Sequence, residues 1–310
     1  LLTTHPAVLA ADKGFTMTKT RHRARAFTII EALVVIILIV GIIVFILPKL
    51  GGTRTRVTSP LKCSANVRGI HQGFVLFAQG NDDQYPLPSI LDKDHHTVPL
   101  AEGVDPTTKD TTVAIISILI YGNFFGPEIC ISPAESNGSI VLDGNYEYAE
   151  PRAAANPKLA LWDPAFAADF TKGQSNFSYA HMLPSGPRLA KWTNTFNAGE
   201  AVLGNRGPRI AAITSRTSSS VTPTFDTASN TLLIHGGRST WEGFIAYNDN
   251  HASFESRLAP ETTAYTDASG ATWPDLLHFD EPDDPATANN FLGVFTTAGP
   301  KPADLTSIWD

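Results

Sequence analysis

Chemistry in this sequence begins with one misplaced carboxylate. Residues 27–47 form an almost wholly apolar run in which Glu31 is the only charged side chain. Inserting a charge there costs on the order of 2–3 kcal/mol, so an acid at that depth is expected to serve a function. The two cysteines, Cys63 and Cys130, are too few for a disulfide scaffold or a tetrahedral zinc site. In an exported domain they can form one bridge, and otherwise they are two buried free thiols. Histidines stand at 71, 95, 96, 181, 235, 251 and 278. No pair has the i, i+4 spacing with an acid that a helical zinc hydrolase uses, so each is read as a surface or turn residue. Asp280, Asp283 and Asp284 lie in an acidic stretch and are the calcium candidates. The stretch lacks the alternate-ligand pattern and turn glycine of a recognisable calcium loop, so a solvated acidic loop is expected and no cofactor is assigned. There is no Gly-x-Ser-x-Gly elbow, phosphate loop or dinucleotide fingerprint, and no enzymatic activity is expected.

The element that positions Glu31 is a helix. At 21 residues the run 27–47 would be roughly 30 Å long, which matches a bilayer core. It is too long for the apolar part of a secretory signal, and Leu47-Pro48-Lys49 is a poor cleavage site. Lys19, Arg21, Arg23 and Arg25 precede it, which by the positive-inside rule keeps that end cytoplasmic and sends the body out. The expected initiator is Met17. The whole chain of 310 residues carries a net charge of −7, and the cations of the first 26 residues hide a still more acidic body. Such a body offers no basic face for nucleic acid.

The stretch Arg25-Ala26-Phe27-Thr28-Ile29-Ile30-Glu31 resembles the cleavage and methylation motif of type IV prepilins and type II secretion pseudopilins. The resemblance implies a cut between Ala26 and Phe27 by a prepilin peptidase, followed by N-methylation of Phe27. It also implies that Glu31, at the fifth mature position, pairs with the free amine of a neighbouring subunit. Pairing would offset much of the desolvation that each charge suffers alone. Ala26 stands where the family prefers glycine, and Pro48 stands where pilins often carry a helix-kinking proline.

Beyond the apolar run, residues 51–60 are polar and carry Gly51, Gly52 and Pro60, which predicts a melted or weakly helical stretch. Cys63, Val67, Ile70, Phe74 and Phe77 then recur at helical spacing, with Arg68 and Gln72 off the stripe. Gly80-Asn81-Asp82 ends this helix. Residues 111–121 are apolar and read as a short helix or a buried strand, and the resemblance to pilin-like proteins favours the helix. Residues 200–204, 231–235, 242–247 and 251–256 read as strands, and 132–160 and 257–310 as long loops.

A finer resemblance is to the large pseudopilin-like proteins of planctomycetes and their relatives. It rests on Cys63-Ser-Ala-Asn66-Val67-Arg68, Tyr85-Pro86, residues 127–133, residues 176–180 and a C-terminal pattern known as H-X9-DG. In that pattern His235 leads to a hairpin at Asp249, Asn250 and His251. Here thirteen residues separate His235 from Asp249, and Asn250 replaces a glycine. Asparagine tolerates the left-handed conformation, so the hairpin is expected to survive.

The fold predicted is α+β: a long N-terminal transmembrane-plus-amphipathic helix packed on an antiparallel sheet, pilin-like, with long loops. The organisation is a basic leader at 1–26, a transmembrane helix at 27–48, its amphipathic continuation at 49–80 and an exported domain at 81–310. The function implied is that of a structural subunit in the bacterial inner membrane, joining a type II secretion pseudopilus or a type IV pilus-like fibre. Its partners would be the peptidase and methyltransferase, other pilin or pseudopilin subunits and an assembly platform. The alternative is a membrane-anchored module that binds polysaccharide or secreted cargo through Trp162, Trp192, Trp241, Trp273 or Trp309.

Overall fold

The computed structural model describes residues 29–284 and 289–310, and within the first helix the side chains at 29–30, at 32–39 and from 59 onward. The leader 1–26, with Ala26 and Phe27, lies outside the described residues. Glu31 is described only as backbone within a helix. The chain divides into two units, residues 1–54 and 55–310. Among the described residues no helix is long and apolar enough to cross a membrane. The expected span at 27–48 reaches beyond them, since the side chains at 40–58 are not described.

Helix α1 runs from Ile29 to Gln79 without a break. The interruption expected at 51–60 is therefore absent from the backbone. Its helical course there runs against the intrinsic preferences of Gly51 and Gly52, about 1 kcal/mol each, and of the interior prolines Pro48 and Pro60, about 3 kcal/mol each. The C-terminal part of α1 follows the stripe read from the sequence. Cys63, Val67, Ile70 and Phe74 are fully buried and Phe77 nearly so, while Arg68 and Gln72 are exposed. The helix ends at Gln79, and Asp82 and Asp83 follow with positive φ.

Two short helices follow, α2 (Pro88–Leu91) and α3 (Thr112–Tyr121). The second confirms the apolar helix expected at 111–121, and eight of its ten residues are buried. The strands are β1 (Tyr179–Met182), β2 (Ala201–Asn205), β3 (Ile210–Thr217), β4 (Ser220–Phe225), β5 (Gly243–Tyr247), β6 (Ala252–Glu255), β7 (Ala264–Thr266), β8 (Thr272–Pro274), β9 (Leu292–Thr297) and β10 (Thr306–Ile308). Six of them form one sheet in the order β10-β9-β1-β2-β5-β6, with every neighbouring pair antiparallel. The antiparallel sheet of an α+β fold is thus present. The remaining four make two separate ribbons, β3–β4 and β7–β8.

Strand β2 crosses the middle of the sheet, and Gly204 is required there. A Cβ at this position would come within 2.3 Å of Ile245 Cδ1 and 2.8 Å of the Phe244 carbonyl on the paired strand. The stripe of α1, helix α3 and the inner residues of β1, β2, β5 and β9 belong to one buried apolar cluster. Thr112 at the start of α3 ties that helix to the sheet. Its Oγ1 accepts the Phe295 amide at 2.7 Å and lies 2.8 Å from His181 Nε2.

Two segments depart from expectation. Residues 231–235 are not a strand: a 3-10 turn spans Asn230–Leu233. Ser229 caps it by accepting the Thr231 amide, and this local capping prevails over the apolar run. Residues 257–310 are not a loop throughout, since they supply β7, β8, β9 and β10. Strand β9 is buried on both faces over its first four residues, so it shows no alternation by which to be recognised.

Candidate functional site

The best-defined polar centre joins the buried face of α1 to the turn between β5 and β6. His71 lies on the buried face of α1, four residues after Val67 and three before Phe74, and is fully buried. Its Nδ1 is 3.1 Å from Asn250 Oδ1, and its Nε2 is 3.2 Å from Tyr85 Oη. Tyr85 Oη donates to Asn248 Oδ1 at 2.6 Å. Asn248 in turn donates through Nδ2 to the Thr193 carbonyl at 2.9 Å and to Glu200 Oε2 at 3.2 Å. The Asn248 amide donates to the Glu200 carbonyl at 2.9 Å. One chain of polar contacts thus runs from the helix, through the Tyr85-Pro86 segment, to the hairpin and the start of β2.

The turn has the geometry that the asparagine implies. Asn250 N donates to Tyr247 O at 2.9 Å and Tyr247 N to His251 O at 3.0 Å. Asn250 itself has φ 66°, in the left-handed region. Asp249 Oδ1 accepts the His251 amide at 3.1 Å and meets the His251 ring. That ring stacks flat on Tyr247, with centroids 4.5 Å apart. Beneath the turn, Phe74, Tyr85 and Trp192 pack edge to face with centroids 5.3–5.6 Å apart. The Trp192 indole donates to the Pro86 carbonyl at 3.1 Å.

Burial is the main electrostatic influence here. It lowers His71 to about 4, against which the bond to Asn250 acts only in part, so the ring is neutral at neutral pH. The arrangement can hold a register: the polar atoms of His71, Tyr85 and Asn248 are engaged with one another and with backbone.

The structure brings Asp249, Asn250 and His251 together but places His235 elsewhere. His235 packs edge to face on the cross-strand pair Phe244 and Phe254, away from the turn, and its Nε2 is buried without a partner among the described residues. The two cysteines are free and buried, so the bridge gives way to its alternative. Cys63 Sγ lies 3.6 Å from Ser132 Oγ and 3.5 Å from Asn205 Oδ1. Burial pushes both thiols up.

The calcium candidates point to separate protein partners. Asp280 pairs with the buried Arg188, and Asp283 pairs with Arg216 at 2.7 Å and accepts from Tyr265 Oη at 2.8 Å. Asp284 accepts the Asn289 amide at 2.7 Å. Among the described residues no group of three or more His, Cys, Asp or Glu side chains is placed to hold a metal. His71, His181 and His278 correct the expectation of surface or turn histidines, since all three are buried.

Sequence reading missed His71, Trp192 and Glu200 as members of this centre. A signal existed for the first: a histidine at stripe spacing on an otherwise apolar helix face is a buried polar group that needs partners. Compared with known protein families, curated proteins and solved structures, the chain matches none.

Proposed function

We propose that this chain is a pilin-like structural subunit, processed by a prepilin peptidase and assembled into a type II secretion pseudopilus or a type IV pilus-like fibre. The observation that carries the proposal is the division of labour along α1. At its start Ile29, Ile30 and residues 33–39 are apolar and exposed, Ile29 by 87% and Ile37 by 61%. At its end the stripe from Cys63 to Phe77 is buried with the sheet. A helix that is apolar all round must be covered, either by lipid or by other helices. A subunit held in the inner membrane and then packed by the same helix into a fibre has both covers in turn. Glu31 fits this reading as the acid that meets the Phe27 amine of a neighbouring subunit after cleavage behind Ala26. The exported body would then present the sheet and its ribbons on the outside.

The test is the mature N-terminus. The chain is expressed from Met17 with its own prepilin peptidase, and the membrane form is read by intact mass. A chain that begins at N-methylated Phe27 is expected. Glu31→Ala should leave processing intact and remove the subunit from the sheared-fibre fraction. A retained leader, or a cut after residue 47, would overturn the proposal.

A further inference from the structure

We propose that the cleft between the two ribbons binds a neutral polysaccharide chain, with Trp273 as its stacking platform. The ribbons β3–β4 and β7–β8 stand outside the six-stranded sheet, and β4 packs near β8. Between them and residues 256–261 lies a cleft of about 770 Å³, within the range of ligand sites. One wall follows from the pleat of β4: Val221, Pro223 and Phe225 turn inward and are half-buried, while Thr222 and Thr224 face solvent. Trp273 and Pro274 of β8 form the opposite wall, over a floor that includes Trp241 and Leu276.

The Trp273 ring is held in place. Its Nε1 donates to Asp267 Oδ2 at 2.7 Å, and the Arg216 guanidinium lies 5.9 Å from the ring centroid. A fixed aromatic platform loses little freedom when a ligand settles on it. Of the five tryptophans, Trp162, Trp192 and Trp241 are buried and belong to the core, Trp309 is half-buried but outside the cleft, and Trp273 is half-buried within it.

The polar lining is neutral. Ser239, Ser256 and Thr272 line the cleft and, among the described residues, make no side-chain hydrogen bond to protein. The two charged residues in the lining, Arg257 and Glu261, pair with each other at 2.9 Å. A phosphate or carboxylate would compete with Glu261 for its cation, and a cationic ligand would compete with Arg257. A hexose polymer suits the site better: its C–H faces stack on a ring, and its hydroxyls both donate to and accept from serine and threonine.

The test uses the full chain in a zwitterionic, sugar-free detergent, titrated by calorimetry with cellohexaose, maltohexaose and mannohexaose. At least one is expected to bind. Trp273→Ala should weaken that binding by about tenfold or more, equivalent to roughly 1.4 kcal/mol, and Trp273→Phe should largely retain it. Ser256→Trp, at an exposed position on the rim, should block the cleft without touching the core. Phe196→Ala, an exposed aromatic outside the cleft, should change nothing. No binding of any of the three oligosaccharides would refute the site, as would binding that survives both Trp273→Ala and Ser256→Trp, or binding of hexaproline in their place. The mature N-terminus is read separately, so failure here leaves the assembly reading standing.

Discussion

At the scale of single residues, Asn250 carries two roles that substitution can separate. Its backbone sits at φ 66°, and its side chain meets His71 at 3.1 Å. Alanine would lose the side-chain contact and also strain the left-handed backbone, which costs on the order of 1–2 kcal/mol. Glycine would lose only the contact. Asn250→Ala should therefore be less stable than Asn250→Gly by about 1 kcal/mol in urea unfolding. Equal losses for the two variants would show that the conformation matters less than the hydrogen bond. The turn was legible in advance because Asp249-Asn250 is itself turn chemistry. The partner was not, because only the fold brings residue 71 to residue 250. His235 shows the limit of a spacing argument: four extra residues in the connection allow it to settle on Phe244 and Phe254 rather than beside the turn.

At the scale of elements, the second half of α1 was the most legible feature, since five apolar residues at helical spacing predict one buried face and one was found. The strands that alternate or carry a turn signal, β2, β5 and β6, were legible too. Those that did not announce themselves are short, like β10, or buried on both faces, like β1 and the first part of β9. They become strands through their neighbours in the sheet, which a local pattern does not contain. The helix depends most on Phe74, where the ring meets Tyr85 at 5.3 Å and Trp192 at 5.5 Å. Phe74→Ala should cost about 3–5 kcal/mol. Leu76→Ala, two residues on but half exposed, should stay within about 0.5 kcal/mol of the parent. Urea midpoints of the two variants decide the matter; similar losses would mean that α1 is not anchored through this face.

At the scale of the whole molecule, buried titratable groups set how the fold responds to pH. Burial lowers His71, His181 and His278 to about 4. An unfolded histidine titrates near pH 6.5, so the stability tied to these neutral rings is complete above about 6.5 and is lost as pH falls toward 4. The carboxyls of Asp275 and Glu281 respond in the opposite sense. Burial, and for Glu281 then the charge of Asp275, raises both above the ordinary carboxylate range. Their contribution is complete below the unfolded range near 4 and declines as pH rises through neutrality. Thermal stability should therefore peak at mildly acidic pH and fall between about 6.5 and 8. Asp275 Oδ1 is buried with no partner among the described residues, whereas Oδ2 accepts from the Asn290 amide and side chain at 2.7 and 2.9 Å. Asp275→Asn can keep the accepting oxygen and removes the charge facing Glu281. Its melting temperature relative to the parent should rise with pH, by a few degrees at pH 8, on the scale of about 2–4 °C per kcal/mol. A difference between variant and parent that is the same at pH 5.5 and pH 8 would mean that the pair does not share its charge in the fold, and that the alkaline decline comes from another group.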